Sequence, residues 1–403
     1  MALTDFKPFF DNAYQEVFQK ALVAKEIMNT RFEAMLKYGA SVQRVAYDIS
    51  AVRVRTVSRG SASTIDEVND TNETLTINIE KEAVFHISDG EVTQAGPLNP
   101  GEEIGKQVGI KVAIDLDARC FAEVANALYT FDNGDLTTLS ASGTGIAIAT
   151  ITNVPIMISR LNAKLKYRNQ VDTSTNMALV VDSYAAAAVT EYLLGKNIDL
   201  AGAVFKNGYA GPVGGADLHI SENLTSNAVL SIATTPTDGD TVTIGGVVFT
   251  FKTSLGSTAG NIAIGGSADA ARLNLSELIN APSTSDAGQV ALSAANQLLI
   301  TDVMRLVAVD AAVANTMTLT GTGSGRLIVS ETLTDVTDAF TKNHLFCYYG
   351  KKGAIDLVIQ DLAPVDMRQT ADRRGTNVFS SYLAGIKTSA DGAKKFLNVI
   401  LAV

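Results

Sequence analysis

The chain has 403 residues and a formal net charge of −10, and 46% of its residues are hydrophobic while 18% are charged. This length predicts two or more substructures, and the composition is too apolar for general disorder. The negative charge disfavours tight nucleic-acid binding through phosphate neutralisation. It is compatible with a protein that lies next to nucleic acid without binding it tightly.

The first predicted element is a helix over residues 11–38, within an N-terminal arm. Apolar residues recur along this run at imperfect helical spacing, and Gly39 supplies a stop signal. Basic residues alternate with acids on the run, which is typical of a solvated helix face.

A long charged β-hairpin is predicted next, because apolar and polar residues alternate as they do in half-buried strands. The alternating apolar residues are Val52, Val54 and Val57 on the way out and Leu75, Ile77 and Ile79 on the return. The basic outgoing strand and the acidic tip carry the candidate interface residues Arg53, Arg55, Arg59, Asp66, Glu67, Asp70 and Glu73. An isolated two-stranded hairpin is marginal in water, so we expect this one to lie on another subunit. The alternative is a solvated hairpin with unrelated charges.

The run from Asn99 to Tyr129 predicts one long helix. Asn99 suits the N-cap, Pro100 suits the first helical position and Glu102 lies three residues after the cap. Apolar residues then follow at four-residue spacing, so the apolar stripe drifts around the helix. A helix of this length spans on the order of 40 Å at ~1.5 Å per residue. A helix of this length would pack against several other elements and extend beyond a single hydrophobic core.

An α/β pattern follows the long helix. The predicted elements are a strand region at 143–152, a helix at 153–168, a strand at Met177–Val181 and a helix that runs to Leu194. Asp182 is placed to cap the second helix, and Gly195 to end it. Ile156, on the first helix, is expected to be buried.

The composition changes between residues 226 and 335, a stretch rich in Thr, Ala, Gly and Ser. Residues 242–249 read as a hairpin with a two-glycine turn, and 268–280 as a helix. A separate small domain spliced into a loop fits this change, since insertions succeed at exposed loop tips. The parent pattern resumes with a strand near Phe346.

The sequence carries no recognisable arrangement for catalysis or for metal binding. The histidines His86, His219 and His344 each stand alone, without a second ligand at metal spacing. The Gly-rich run 321–325 lacks the following helix of a phosphate loop, so it predicts a turn. Arg373 and Arg374 could meet an acidic partner or phosphate, and a basic surface loop is the default interpretation. We expect no enzyme, no cofactor and no metal.

The remaining sequence signals concern the membrane, secretion and the redox state of the cysteines. No stretch is long and apolar enough to span a bilayer, and the first ten residues lack the pattern of a secretory signal. Cys120 and Cys347 lie far apart in the sequence, which predicts two reduced, largely buried thiols.

The order of these parts resembles the major capsid proteins of tailed bacteriophages, which have the Hong Kong ninety-seven capsid fold. The resemblance rests on Val45–Ile87 (extended loop), Asn99–Tyr129 (spine helix), Met177–Asn197 and Gly208–Leu224 (axial domain) and Tyr348–Gln360 (the strand that follows). It covers about three hundred residues, everything except the insertion and parts of the arm.

The resemblance implies an α+β fold in six parts. These are an N-terminal arm (1–44), an extended loop hairpin (45–88), a peripheral domain with the spine helix (89–139), an axial domain (140–225), an inserted small α/β or β-rich surface domain (226–335), and the completion of the axial domain with a return to the peripheral domain (336–403). The insertion stands where some podovirus coat proteins also carry an extra domain.

The resemblance also implies the function and the partners. The chain would assemble with itself into pentamers and hexamers of an icosahedral capsid around double-stranded DNA, without sequence-specific binding. Its implied partners are a scaffolding protein, the portal protein and a decoration protein, in the virion capsid after assembly in the bacterial cytoplasm. An encapsulin-type nanocompartment shell is the alternative within the same fold. A secreted adhesin and an undetected hydrolase are rivals that the helices and the lone histidines disfavour.

Overall fold

The computed structural model describes residues 10, 13–14, 22–33, 39–48, 52–56, 59–60, 65–88, 100–169, 171–173, 175–194, 213–335, 337–362, 366–369 and 375–403. These residues form two compact units. The first unit draws them from Met1–Gln19, Ile27–Ile110 and Gly353–Ala393. The second draws them from Lys20–Glu26, Lys111–Lys352 and Lys394–Val403.

Helices and strands alternate irregularly along the chain, as in an α+β fold. The described helices are α1 (Ala24–Ile27), α2 (Pro100–Ala122), α3 (Asn153–Asn169), α4 (Ser183–Leu194), α5 (Ala268–Asn280), α6 (Ala294–Leu298) and α7 (Ala390–Ala393). The described strands are β1 (Ser41–Asp48), β2 (Asn69–Thr76), β3 (Ile79–Ile87), β4 (Tyr129–Phe131), β5 (Met177–Val181), β6 (Ala216–Ile220), β7 (Ser226–Ser231), β8 (Thr241–Ile244), β9 (Val247–Lys252), β10 (Asn261–Ala263), β11 (Leu306–Ala311), β12 (Thr316–Gly321), β13 (Val329–Glu331), β14 (Phe340–Lys351), β15 (Ile355–Leu362), β16 (Asp366–Gln369), β17 (Thr376–Thr388) and β18 (Phe396–Ala402).

The first unit is built on a four-stranded antiparallel sheet with β17 at its centre. β15 and β16 pair with successive parts of β17, and β3 pairs with it from Ile79 to Ile87. Alternate residues of β17 are buried, so one face of the sheet packs against the core. A separate two-stranded ribbon joins β1 to β2 in the register Ser41↔Thr76 to Asp48↔Asn69.

The second unit is built on an eight-stranded sheet with β14 at its centre. β7 and β5 pair with successive stretches of β14, and β18 pairs with it from His344 to Gly350. β18 in turn pairs with β4, and β5 with β6, both in parallel. All five residues of β5 and the first six of β18 are buried, as expected of strands covered on both faces.

Two predictions for the axial elements are confirmed in detail. The strand Met177–Val181 and the helix after it are present, and Asp182 Oδ1 accepts a hydrogen bond from Ala185 N at 3.1 Å, as an N-cap does.

The predicted burial of Ile156 is wrong, since 38% of this residue is exposed. The strand expected at 143–152 reduces to one isolated bridge, between Ile146 and Leu401.

The long helix ends earlier than predicted, at Ala122 instead of Tyr129. A single 3₁₀ turn, Glu123–Asn126, follows it, and the chain then enters β4 to pair with β18. This pairing of backbone groups decides the end of the helix, because a helical 129–131 would leave that edge of β18 without hydrogen-bond partners. The four-residue apolar spacing is confirmed in the second half, where Val112, Leu116, Cys120 and Val124 are buried.

The predicted N-terminal helix and hairpin also need correction. The helix over 11–38 is interrupted, because Asn29 forms a bridge with Asp356 and residues 31–33 form a turn. The hairpin strands lie at β1 and β2, so residues 52–56, expected on the outgoing strand, belong to no strand. The expected return strand is divided between β2 and β3 by residues 77–78.

The inserted segment is less separate than predicted. Its strands β7, β12 and β11 continue the eight-stranded sheet beyond β14, and only β8, β9, β10 and β13 form a sheet of their own. The segment does bury a core of its own, which includes Phe249, Phe251 and Leu275. Its first strand, Ser226–Ser231, satisfies backbone groups of β14, and the domain boundary at residue 226 stays a prediction.

A buried carboxylate anchors the chain before α1 within the second unit. Asp117, on α2, accepts hydrogen bonds from Val23 N at 3.1 Å and Ala24 N at 3.0 Å. Burial raises the pKa of the Asp117 carboxyl to about 6, while these two N–H donors act in the opposite direction. Because its pKa is higher in the folded than in the unfolded chain, Asp117 favours the folded state in its protonated form.

We predict that Asp117→Asn removes part of the pH dependence of stability. In the native chain the free energy of unfolding should fall as pH rises from about 4 to about 6, by up to roughly 3 kcal/mol from this group. Urea unfolding at several pH values measures the slope, with the exposed Asp302→Asn as the matched control. An unchanged slope in Asp117→Asn would contradict the assignment.

Candidate subunit interface

The extended loop (residues 41–76) is fastened to the first unit at its base. Arg44 Nη1 donates to Asp356 Oδ2 at 3.3 Å and to Ser389 Oγ at 3.1 Å. Its Nη2 lies 3.7 Å from Asp391 Oδ2. The guanidinium thus bridges β1 to the start of β15 and to the end of β17, a geometry that its planar fork suits.

Apolar packing and backbone contacts complete the base. Leu75 and Val358 are buried together, with Val42, Phe32 and Ile77 packed against them. A Cβ on Gly385 would lie 2.7 Å from the Thr76 carbonyl oxygen, so this close approach requires glycine. The base of the extended loop is therefore held by both packing and hydrogen bonds.

Beyond the β1–β2 ribbon the loop exposes large aliphatic side chains. Val54 and Ile65 are 104% and 87% exposed, and Val52 and Val68 are about half exposed. Among the described residues between them, Arg53, Arg55, Thr56 and Glu67 are polar or charged and also exposed. Four exposed aliphatic side chains on one excursion form the kind of surface that marks a contact with another protein.

The charged candidates divide between the loop itself and its base. Arg55 Nη2 donates to Asp66 Oδ1 at 2.6 Å, and Asp66 Oδ2 accepts from Arg53 N at 2.9 Å. Asp66 thereby joins the outgoing and returning segments of the same loop. Glu73 Oε1 accepts from Ala390 N at 2.9 Å, so this residue belongs to the base.

The other candidates lie on the loop, on β2 or outside the described residues. Arg53, Arg59 and Glu67 are exposed. Asp70 lies on β2, opposite Tyr47. Arg373 and Arg374 fall outside the described residues.

Sequence reasoning missed the aliphatic residues of the loop as interface candidates. The alternation around Val54 predicted a half-buried strand, and the structure leaves Val54 exposed within this chain. The signal that could have found them is the expectation that a marginal two-stranded hairpin lies on another subunit, because its apolar face would then form the contact.

The structure brings no two of the three histidines together. His86 Nδ1 lies 2.8 Å from Asn377 Oδ1, and His219 Nδ1 lies 3.5 Å from Glu26 Oε2. His344 Nε2 accepts from Gly145 N at 3.2 Å, and burial lowers its pKa below the ordinary range. Within the described ranges no group of three or more His, Cys, Asp or Glu residues is arranged to hold a metal ion.

The two cysteines are free and buried, as predicted. Burial raises the pKa of both thiols, which favours the unreactive protonated form. Among the described helices, none is both long enough and apolar enough to cross a membrane.

Comparison with solved structures identifies the fold. A structure from Mycobacterium phage Che8 is 14% identical, with a TM-score of 0.50 over 94% of this chain and 90% of that chain. The capsid structure of cyanophage P-SCSP1u (11% identity, TM-score 0.46, 93% and 86% coverage) and the mature capsid of bacteriophage PhiM1 (11%, 0.46, 90% and 82%) also match. No family model and no curated protein matches the sequence.

The comparison establishes the fold. The chain has the α+β fold of the structure from Mycobacterium phage Che8, over 94% of its length. The order of arm, loop, long helix and α/β elements predicted this fold, and the prediction is confirmed.

Proposed function

We propose that the chain is a major capsid protein, which assembles into the pentamers and hexamers of an icosahedral shell around double-stranded DNA. Its capsid fold supports this role. The observation that carries it is the extended loop, anchored at its base by Arg44 and bearing four exposed aliphatic side chains beyond the ribbon.

The loop is built to contact a second copy of the chain. A two-stranded ribbon is marginal in water, so the contacts at the base account for its position and leave the far end for a partner. Burying Val52, Val54, Ile65 and Val68 on a neighbour would contribute about 1.5–3 kcal/mol for each fully buried side chain. Repeated around a closed shell, such contacts add up without any of them being strong alone.

Charged residues would set the register of this contact. Arg53 and Arg59 are exposed on the loop and would meet acids of the neighbour, with Glu67, Asp70, Arg373 and Arg374 as further interface candidates. Exposed ion pairs contribute little each, at roughly 0–1 kcal/mol, but they select partner and orientation. Arg55 is occupied by Asp66, so its role in this proposal is to hold the loop in shape.

The remaining partners follow from the same proposal. A scaffolding protein would guide assembly, a portal protein would occupy one vertex, and a decoration protein would bind the outside of the shell. The net charge of −10 suits a container that must release its DNA, because a strongly basic lining would retain it. Synthesis and assembly would take place in the cytoplasm of a bacterial host.

Electron microscopy tests the proposal directly. We expect the protein, co-expressed with its scaffolding protein, to form closed shells of uniform size. Soluble monomers at high concentration would contradict the proposal. Particles from the native source that contain a cargo enzyme in place of DNA would instead favour an encapsulin-type shell.

A further inference from the structure

The glycine-rich run near the end of the inserted segment has a position that the proposed function does not explain. Residues 321–327, which we name the strap, connect β12 to the residues before β13. The run forms a turn, as predicted, but this turn lies against parent elements of the second unit and not in solvent.

The strap is pressed against the long helix α2. Gly323 has φ of +72°, and a Cβ there would lie 2.3 Å from the Ala118 Cβ, so only glycine permits this approach. Arg305, the residue before β11, reinforces the contact between the strap and α2. Its Nε donates to Asp115 Oδ1 at 3.0 Å and its Nη1 to Thr322 O at 3.4 Å.

The strap also reaches the start of α4 and the last strand. Arg326 Nε and Nη2 both donate to Asp182, the N-cap of α4, and the guanidinium lies 4.5 Å from the Tyr184 ring centroid. Arg326 Nη1 donates to the Ala402 carbonyl at 3.3 Å. Asp182 is almost completely buried, so Arg326 supplies the charge that its carboxylate needs.

Three parent elements that are distant in sequence thus meet at one short segment of the insertion. We propose that the strap is an internal tie, which couples the inserted segment to α2, α4 and β18 and suppresses their local opening. The insertion would then hold the parent fold closed, independently of any partner that its outer surface contacts. An independent module joined only by two crossing strands would not have this effect.

Hydrogen exchange on the full-length subunit tests the tie. Arg326→Ala removes the charge-assisted hydrogen-bond partner of the buried Asp182 carboxylate, so amide exchange in Ser183–Val189 and Phe396–Ala402 should accelerate by about tenfold to a hundredfold. Exchange in β9, within the insertion's own core, should stay unchanged and serves as the internal control. Faster exchange confined to the insertion, or no change in α4 and β18, would overturn the proposal.

Two further variants keep the test decisive if Arg326→Ala does not fold. Arg326→Lys keeps the positive charge but loses the planar guanidinium that donates from several nitrogens. It should accelerate amide exchange in the same parent segments by a smaller factor. Arg305→Ala should accelerate exchange in residues 111–120 of α2 while leaving α4 unchanged. Equal acceleration of all segments by both variants would show general destabilisation and would contradict a tie with separate anchor points.

Discussion

Val54→Asp should abolish shell assembly while leaving the subunit folded. Val54 is 104% exposed, so the substitution removes no contact within the chain. If the extended loop docks on a neighbour, the variant must desolvate an unpaired carboxylate there, at a cost of several kcal/mol per contact. Each 1.4 kcal/mol is a tenfold change in the equilibrium constant, so we expect assembly to fall by more than a hundredfold.

The insertion supplies a matched control for this variant. Val313 is 103% exposed and lies in a short 3₁₀ turn, outside the long helices and the strands, so Val313→Asp makes the same chemical change at the same exposure. Sedimentation velocity and electron microscopy would compare the two under identical assembly conditions. Shells from Val54→Asp as abundant as those from Val313→Asp would refute the docking role of the loop.

Arg272→Ala should strongly destabilise the inserted segment. Arg272 is fully buried, and its guanidinium donates to Asp310, to Asp269 Oδ1 at 2.6 Å and to the Ile232 carbonyl at 2.9 Å. Removing one partner of a buried ion pair leaves the other charge uncompensated, so we expect a loss of about 3–5 kcal/mol in the free energy of unfolding. Because the chain has no tryptophan, circular dichroism in urea is the suitable measurement.

A double variant separates charge from packing. Replacing Arg272 together with Asp310, the less exposed of its two carboxylate partners, as Arg272→Met with Asp310→Leu, removes that ion pair and restores apolar volume, and should recover at least half of the stability lost in Arg272→Met alone. Equal losses in the single and double variants would show that packing around the long side chain dominates. A single-variant loss below about 1 kcal/mol would contradict the assigned role of Arg272.

Locally encoded elements were predictable from the sequence. The strand Met177–Val181 and the helix after it were predicted correctly, because an apolar run followed by an Asp cap specifies both without distant partners. The end of α2 was not predictable in this way. It depends on pairing between residues 129–131 and β18, more than 260 positions further along the chain.

The extended loop shows why the candidate site was only half predictable. Residues 52–55 alternate apolar and polar side chains and residues 41–48 do not, yet pairing with β2 makes 41–48 the strand. The arginines at 53 and 55 were identified as interface candidates, whereas Val54 between them was assigned to burial. Alternation predicts that a side chain is covered, and it does not say which copy of the chain covers it.

The central strand β14 depends on residues 226–335 to cover part of one edge. That edge of the twelve-residue strand pairs with β7 along residues 340–345 and with β5 along residues 348–351. Without residues 226–335 the first half of this edge would be open, as a template for pairing with other chains. The segment that carries a core of its own therefore also protects the parent sheet from aggregation through this edge.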